Sequence, residues 1–369
     1  MRPQRYSRRE LLGATAGISI AGLAGCLGDD STDTETETDP STGEQTGEDA
    51  TQVGMIYALA GLDDRSFNDA ANRGIQRARL DYGISFSNHE PDAAKDIERL
   101  QRELARSETP TYDLLCCIGF VQQDSLGQIA SEYPEQQFMI VDATVDAENV
   151  ASYVFKEHEG SFQSGHLAGE LTSREITLGT GTTNPDERIV GFVGGVENDL
   201  IKRFEAGYRA GVKYADSEVT VRSSYVGNFA DVQTAFDMAQ GMYDDGADIV
   251  YHAAGGAGLG VFQAAQAANR YAIGVDADQS RSNPRYADVI LASMVKRVDN
   301  AIYSATSNVV EGGFQGGSVV PLGLEADGVD VVYGTSLEPA IPNDVKTAIQ
   351  TSREAIIAGD ITVPTEVEG

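Results

Sequence analysis

Leu114-Leu115-Cys116-Cys117-Ile118 is apolar at every position, and after an amphipathic run over residues 123–132 the pattern returns as Phe138-Met139-Ile140-Val141-Asp142. A strand with one face in water alternates apolar and polar side chains, whereas a strand covered on both faces does not. Two such strands separated by a helix therefore predict a parallel sheet between helical layers. The adjacent cysteines read the same way. Neighbours on a strand point to opposite faces, which makes Cys116 and Cys117 two buried thiols rather than a bridge or a metal pair.

Outward from this stretch the alternation continues in both directions. Val53 to Leu59 is an apolar strand, and the helix from Ser66 sets Phe67, Ala71, Ile75, Ala78 and Tyr82 on one stripe. A further helix carries Ala93, Ile97, Leu100 and Leu104. Buried strands are predicted at Ser152–Phe155, Ile189–Val193, Val219–Val226, Asp248–Tyr251, Ala272–Val275 and Val289–Ser293. Amphipathic segments around 160–173, 198–215, 231–244 and 260–270 separate most of them. About ten strands are too many for one small sheet, so the expected fold class is α/β with two doubly wound, Rossmann-like lobes. In such sheets ligands bind beyond the carboxyl ends of the strands. That selects the loops Asp63–Asn68, Gly119–Gln123, Asp142–Thr144, Gly194–Asn198, Asn228–Asp231, Ala253–Gly260 and Asp276–Gln279.

The charge narrows the partners. With 27 basic against 57 acidic side chains the chain carries −30, so nucleic acid and anionic surfaces are repelled. Only six of the basic residues are Lys. Abundant carboxylates with few lysines suit concentrated salt, where a Debye length of about 3 Å at 1 M screens self-repulsion; a halophilic source is expected. The four histidines show no ligand spacing, and no metal or cofactor is expected.

The N-terminus carries Ser7-Arg8-Arg9-Glu10-Leu11-Leu12 before a weakly apolar run to Gly25. Arg8 and Arg9 resemble a twin-arginine export signal. Leu23-Ala24-Gly25-Cys26 resembles a lipobox, which makes residues 1–25 a signal peptide and Cys26 the lipidated residue. From Asp29 to Asp49 there is no aliphatic or aromatic side chain, so residues 26–50 read as a disordered acidic tether. The expected location is the extracellular face of the cell membrane, held by lipid.

The strand-end loops also carry a resemblance. Gly61-Leu62-Asp63-Asp64-Arg65-Ser66-Phe67-Asn68, Glu159-Gly160-Ser161-Phe162, Val190-Gly191-Phe192-Val193-Gly194-Gly195 and Phe204-Glu205-Ala206-Gly207-Tyr208 are similar to motifs of the basic membrane protein (BMP) family. So are Ala253-Ala254-Gly255-Gly256-Ala257-Gly258-Leu259-Gly260, Ile273-Gly274-Val275-Asp276-Ala277-Asp278-Gln279 and Ser293-Met294-Val295-Lys296-Arg297-Val298-Asp299. They run in order from about residue 53 to 335, with Arg65 replacing the usual Lys and a polar insertion at 178–188. The resemblance implies a lipoprotein receptor of an ABC importer that binds nucleosides, chiefly purine ones, and works with permease and ATPase subunits. It also implies a type I periplasmic-binding-protein architecture with hinge strands between the lobes. The N-terminal lobe is expected from 51–157 plus about 292–313, the C-terminal lobe from 158–291 plus about 317–358.

A nucleoside needs aromatic faces for its base and charged hydrogen-bond partners for its ribose. Phe67 is one candidate wall, or else the start of a core stripe; Phe229 is the opposite wall. Asn68 could serve a base edge or cap the helix beside it. Asp142 ends a strand as a binding carboxylate or a turn residue. In the family motif Asp276 and Lys296 hold ribose hydroxyls, and otherwise they form a structural ion pair. Gly255, in a run to Gly260 without the Lys-Ser/Thr of a phosphate loop, lets backbone N–H groups approach a neutral ligand. No nucleophile–base pair appears, so an enzyme is not expected. A sensor lipoprotein, or a receptor for another ring compound such as a flavin, remains the alternative.

Overall fold

The computed structural model describes residues 50–367. Arg8, Arg9, Cys26 and the leader and tether as far as residue 49 lie outside the described residues.

The chain opens with β1 (Gln52–Ile56), α1 (Phe67–Tyr82), β2 (Ser85–His89), α2 (Ala94–Ala105), β3 (Leu114–Ile118), α3 (Gln123–Glu132), β4 (Gln137–Val141) and β5 (Val150–Phe155). It continues through α4 (Glu157–Thr172), a hairpin of β6 (Thr177–Leu178) and β7 (Gly181–Thr182), β8 (Ile189–Gly194), α5 (Asp199–Ala215) and β9 (Thr220–Tyr225). Then come α6 (Val232–Asp244), β10 (Ala247–Ala253), α7 (Leu259–Ala268), β11 (Tyr271–Asp276), the one-turn α8 (Gln279–Ser282) and β12 (Ile290–Lys296). Last are α9 (Val298–Val310), β13 (Val319–Leu322), β14 (Val329–Tyr333) and α10 (Asn343–Ala358).

Two six-stranded sheets result, ordered β13-β5-β4-β3-β1-β2 and β14-β12-β11-β10-β8-β9. Every pairing within them is parallel except that of β14 with β12. The central strands β3 and β10 are buried at every residue, as the unbroken apolar runs require. Cys116 packs in one apolar cluster and Cys117 in another on the opposite face of β3. Each is a free, fully buried thiol.

Helix starts follow local chemistry. The Asn198 side chain accepts from Ile201 N at 2.9 Å, and Asp231 accepts from Thr234 N at 3.0 Å. Ser66 occupies the cap position of α1 but contributes no side-chain cap; Asp64 does so instead, accepting from the amides of Ser66 and Asn68, each at 2.9 Å.

The lobe boundaries differ from expectation at two places. Residues 292–296, expected in the N-terminal lobe, are the last five of the seven residues of β12 and pair with β11 and β14 in the second sheet. Val319–Leu322, expected in the C-terminal lobe, pairs with β5 in the first. The chain thus crosses between sheets after β5, after β12 and between β13 and β14. Backbone bonds from Lys156 N to Leu322 O (3.0 Å) and from Arg297 N to Gly328 O (2.9 Å) bind these crossings side by side.

Strands β2, β13 and β14 escape the sequence pattern because they are edge or near-polar segments. Ser85–His89 carries one aromatic among polar residues, and β13 contains Pro321. The segment expected as a polar surface insertion at 178–188 is tied in. Tyr271 Oη receives Leu178 N at 2.7 Å and donates to Gly181 O at 2.6 Å.

Candidate ligand-binding site

The carboxyl ends of both sheets face one cavity of about 420 Å³, a size suited to a small organic ligand. From the first sheet, the loop after β1 brings Ala58, Asp64, Phe67 and Asn68, β3 leads into Gly119 and Phe120, and β4 leads into Asp142. From the second, Phe204 on α5, Phe229 after β9, Gly255 after β10, and the strand-terminal Asp276 and Lys296 line it. All seven residues selected from the sequence, Phe67, Asn68, Asp142, Phe229, Gly255, Asp276 and Lys296, border this space.

Their chemistry differs among them. Phe67 is half-buried, with its ring centroid 5.2 Å from Lys296 Nζ. Phe229 packs edge-on against Phe120, centroids 6.5 Å apart, so the second lobe's ring meets an aromatic of the first. Gly255 has φ of 55°, and a Cβ there would sit 3.5 Å from Phe229 Cβ.

Asn68 is fully buried and its amide is occupied. Its oxygen accepts from Ala58 N at 2.9 Å, and its nitrogen donates to Gly61 O at 2.8 Å and Ala58 O at 3.3 Å. It clamps the loop after β1, rather than offering a free amide to a base edge or capping α1.

Asp142 and Asp276 both end strands with positive φ, 69° and 65°. Non-glycine residues enter this region at a cost, and such strain concentrates where side chains are aimed for function.

The expected Asp276–Lys296 pair is rearranged. Lys296, which is 2% exposed, lies 2.6 Å from Asp142 and 3.1 Å from Glu157. Asp276 instead accepts from Ser66 Oγ at 2.5 Å, a bond from the loop after β1 to the end of β11. Burial alone would depress the Lys296 ammonium, but Asp142, Glu157 and Asp276 around it hold its pKa above the ordinary value. Burial pushes Asp276 up to about 6, against the opposing pull of Lys296 and the Ser66 hydrogen bond. Burial likewise raises Glu157.

Sequence reasoning passed over Asp64, Ser66, Phe120, Phe204 and Glu157. Ser66 and Asp64 stood inside a quoted motif, and Phe204 opened another. Phe120 lay in the selected strand-end loop Gly119–Gln123 without being singled out. Glu157 directly precedes the Glu159-Gly160-Ser161-Phe162 string, but only the fold brings it to Lys296.

Two parallel sheets with a cavity between their carboxyl ends and a threefold crossing beside it define a class, the two-lobed solute-binding proteins of the type I periplasmic fold. A solute-binding protein of an ABC transporter system from Aeropyrum pernix K1 superimposes with a TM-score of 0.76 at 28% identity, over 86% of this chain and 94% of that one. One from Conexibacter woesei gives 0.69, covering 86% and 100%.

Residues 50–366 match the model of the Bmp family, described as ABC transporter substrate-binding protein PnrA-like, and the chain belongs to that family. It is similar to the "ABC transporter nucleoside-binding protein BmpA" of Lactococcus lactis, 32% identical over 96% of this chain and 97% of that protein. It is also 32% identical to basic membrane protein D of Borreliella burgdorferi, over 82% and 84%. An uncharacterized lipoprotein of Pyrococcus abyssi is 32% identical over 75% and 68%. The chain is therefore a solute-binding receptor of an ABC transporter and not an enzyme.

Proposed function

We propose that this receptor binds a nucleoside, of the purine class, in the cavity between its lobes and presents it to the permease of an ABC importer. The observation that carries the reading is the composition of the cavity wall. Phe67, Phe120, Phe204 and Phe229 offer aromatic faces from both lobes, and Asp142, Asp276 and Lys296 offer charged partners on strand ends. Flat apolar bases stack on the former; ribose hydroxyls suit the latter. The name of the Lactococcus relative supports the same ligand class.

Lobe closure is the mechanism this arrangement favours. Contacts already cross the mouth: Ser66 to Asp276, Arg65 Nη1 to Asn283 Oδ1 at 3.1 Å, and Gln279 Nε2 to Arg65 O at 3.4 Å. A ligand docked on one lobe would be enclosed as these form. The twin-arginine leader and Cys26 add the proposal that the receptor is exported folded and lipid-anchored on the outer membrane face of a salt-adapted cell.

A thermal-shift screen in molar salt tests the ligand. Guanosine, inosine or adenosine raises the melting temperature, with stabilisation of about 2.7 kcal/mol expected at 100 times Kd, while free sugars and amino acids do not. The ligand-free protein melts lower when the salt is diluted. A screen answered only by sugars, peptides or flavins overturns the nucleoside assignment and leaves the receptor class standing.

A further inference from the structure

We propose that Glu157 is a positioning residue for ligand binding, holding the Lys296 ammonium in place within the second lobe before the lobes close. The inference rests on the reading of Lys296 as a ligand contact and extends it to a residue that does not itself line the cavity.

An ammonium has three N–H groups and no acceptor. Asp142 Oδ2 accepts one of them at 2.7 Å, while Glu157 Oε1 stands 3.1 Å from the nitrogen as an ion-pair partner outside hydrogen-bonding geometry. That leaves donor capacity for the cavity that Lys296 borders. The ammonium also stands among the rings of Phe67, Phe155 and Phe204, 5.2, 5.0 and 5.6 Å from their centroids, which restricts where it can go.

The two carboxylates belong to different parts of the molecule. Asp142 follows β4 in the first sheet, so its bond to Lys296 at the end of β12 runs from one lobe to the other. Glu157 opens α4, and α4 lies directly on β12: a Cβ added at Gly160 would come within 2.9 Å of Met294. The Glu157–Lys296 pair is thus internal to the second lobe and does not depend on closure.

Glu157 stands in the first turn of α4, and among the described residues Lys296 is the cation within 4 Å of its carboxylate. Glu157 is fully buried, and no described group donates a hydrogen bond to either oxygen of its carboxylate. A buried carboxylate is costly, and its placement is explained if Lys296 is what it serves. Asp142 then joins on closure, and a free N–H meets the ligand.

The test uses full-length protein labelled with 15N-lysine, whose ammonium signal for Lys296 is identified by its loss in Lys296→Met. In ligand-free wild type this signal is protected from exchange; in Glu157→Gln it exchanges fast. By calorimetry, Glu157→Gln weakens guanosine binding roughly tenfold or more, the scale of a charge-assisted hydrogen bond, and guanine binding by no more than about twofold. In the Lys296→Met background the same substitution adds no further loss. An unchanged Lys296 signal, equal losses for nucleoside and base, or a loss that persists in Lys296→Met overturns the proposal. If Glu157→Gln does not fold, Glu157→Asp, which keeps the charge but withdraws it by one methylene, is read by the same criteria. Should the wild type bind no nucleoside, that ligand reading fails, and the ammonium signal alone still decides the role of Glu157.

Discussion

Asp276 gives the cavity a pH-sensitive carboxyl group. Its folded-state pKa of about 6 lies above the ordinary 3.8, because burial penalises the carboxylate more than Lys296 and Ser66 relieve it; Asp64 and Asp142 add to the rise. Between those values the folded protein holds a proton that the unfolded chain releases, so this group's contribution to ligand-free stability falls as pH rises from about 4 to 6. A ribose hydroxyl donating to the carboxylate favours the ionised form. Nucleoside affinity is therefore expected to rise with pH through about 6, and Asp276→Asn to flatten that profile. At neutral pH the variant should lose ~1.5–3 kcal/mol of nucleoside binding and little free-base binding. Calorimetric titrations across pH 5–8 read both; a profile unchanged in the variant counts against Asp276 as the ribose acceptor. Strand-end position and motif selected this residue from the sequence. Its partner did not follow, since Ser66 and Asp276 are joined only when the two lobes meet.

At the scale of elements, the α4–α5 contact is made by missing side chains. A Cβ on Gly165 would stand 2.0 Å from Tyr208 O, and one on Gly211 2.0 Å from Phe162 O. Gly169 and Gly207 face the same crossing, with added carbons 2.9 Å from Val212 O and 2.1 Å from His158 O. The obstacles are backbone atoms of the partner helix, which cannot rotate aside. Gly211→Ala should therefore destabilise the fold by ~1–3 kcal/mol, or more if the helices cannot separate, as measured by urea unfolding. A change within about 0.5 kcal/mol would mean that the interface gives easily. Most helices up to α7 were legible, and α3 spans Gln123–Glu132, where amphipathic periodicity placed it, whereas α9 and α10 were not expected. Of the edge strands only β9 was legible, because a strand such as β14, only partly covered, needs no unbroken apolar run.

For the whole molecule, the net charge of −30 and the proposed tether bear on where the receptor works. The proposed anchor requires lipid on Cys26, and one chain alone holds a membrane only marginally. Cys26→Ser is accordingly expected to appear in the medium or to remain unprocessed, as cell fractionation with an antibody to the folded body would reveal. Undiminished membrane attachment of that variant would remove the lipid from the proposal while leaving the receptor class intact.

The sequence by itself determined the α/β class, the run of buried parallel strands, the strand-end loops where a ligand would sit, and seven residues that border one cavity. These are local properties: apolar period, turn chemistry and motif order need only neighbours along the chain. Tertiary structure alone decided which lobe β12 and β13 join, that Asn68 spends its amide on its own loop, and that Lys296 pairs with Asp142 and Glu157 rather than Asp276. Each of these depends on contacts between distant segments. A single ammonium offered several carboxylates takes those the folded backbone brings within reach, and no spacing along the chain records that distance.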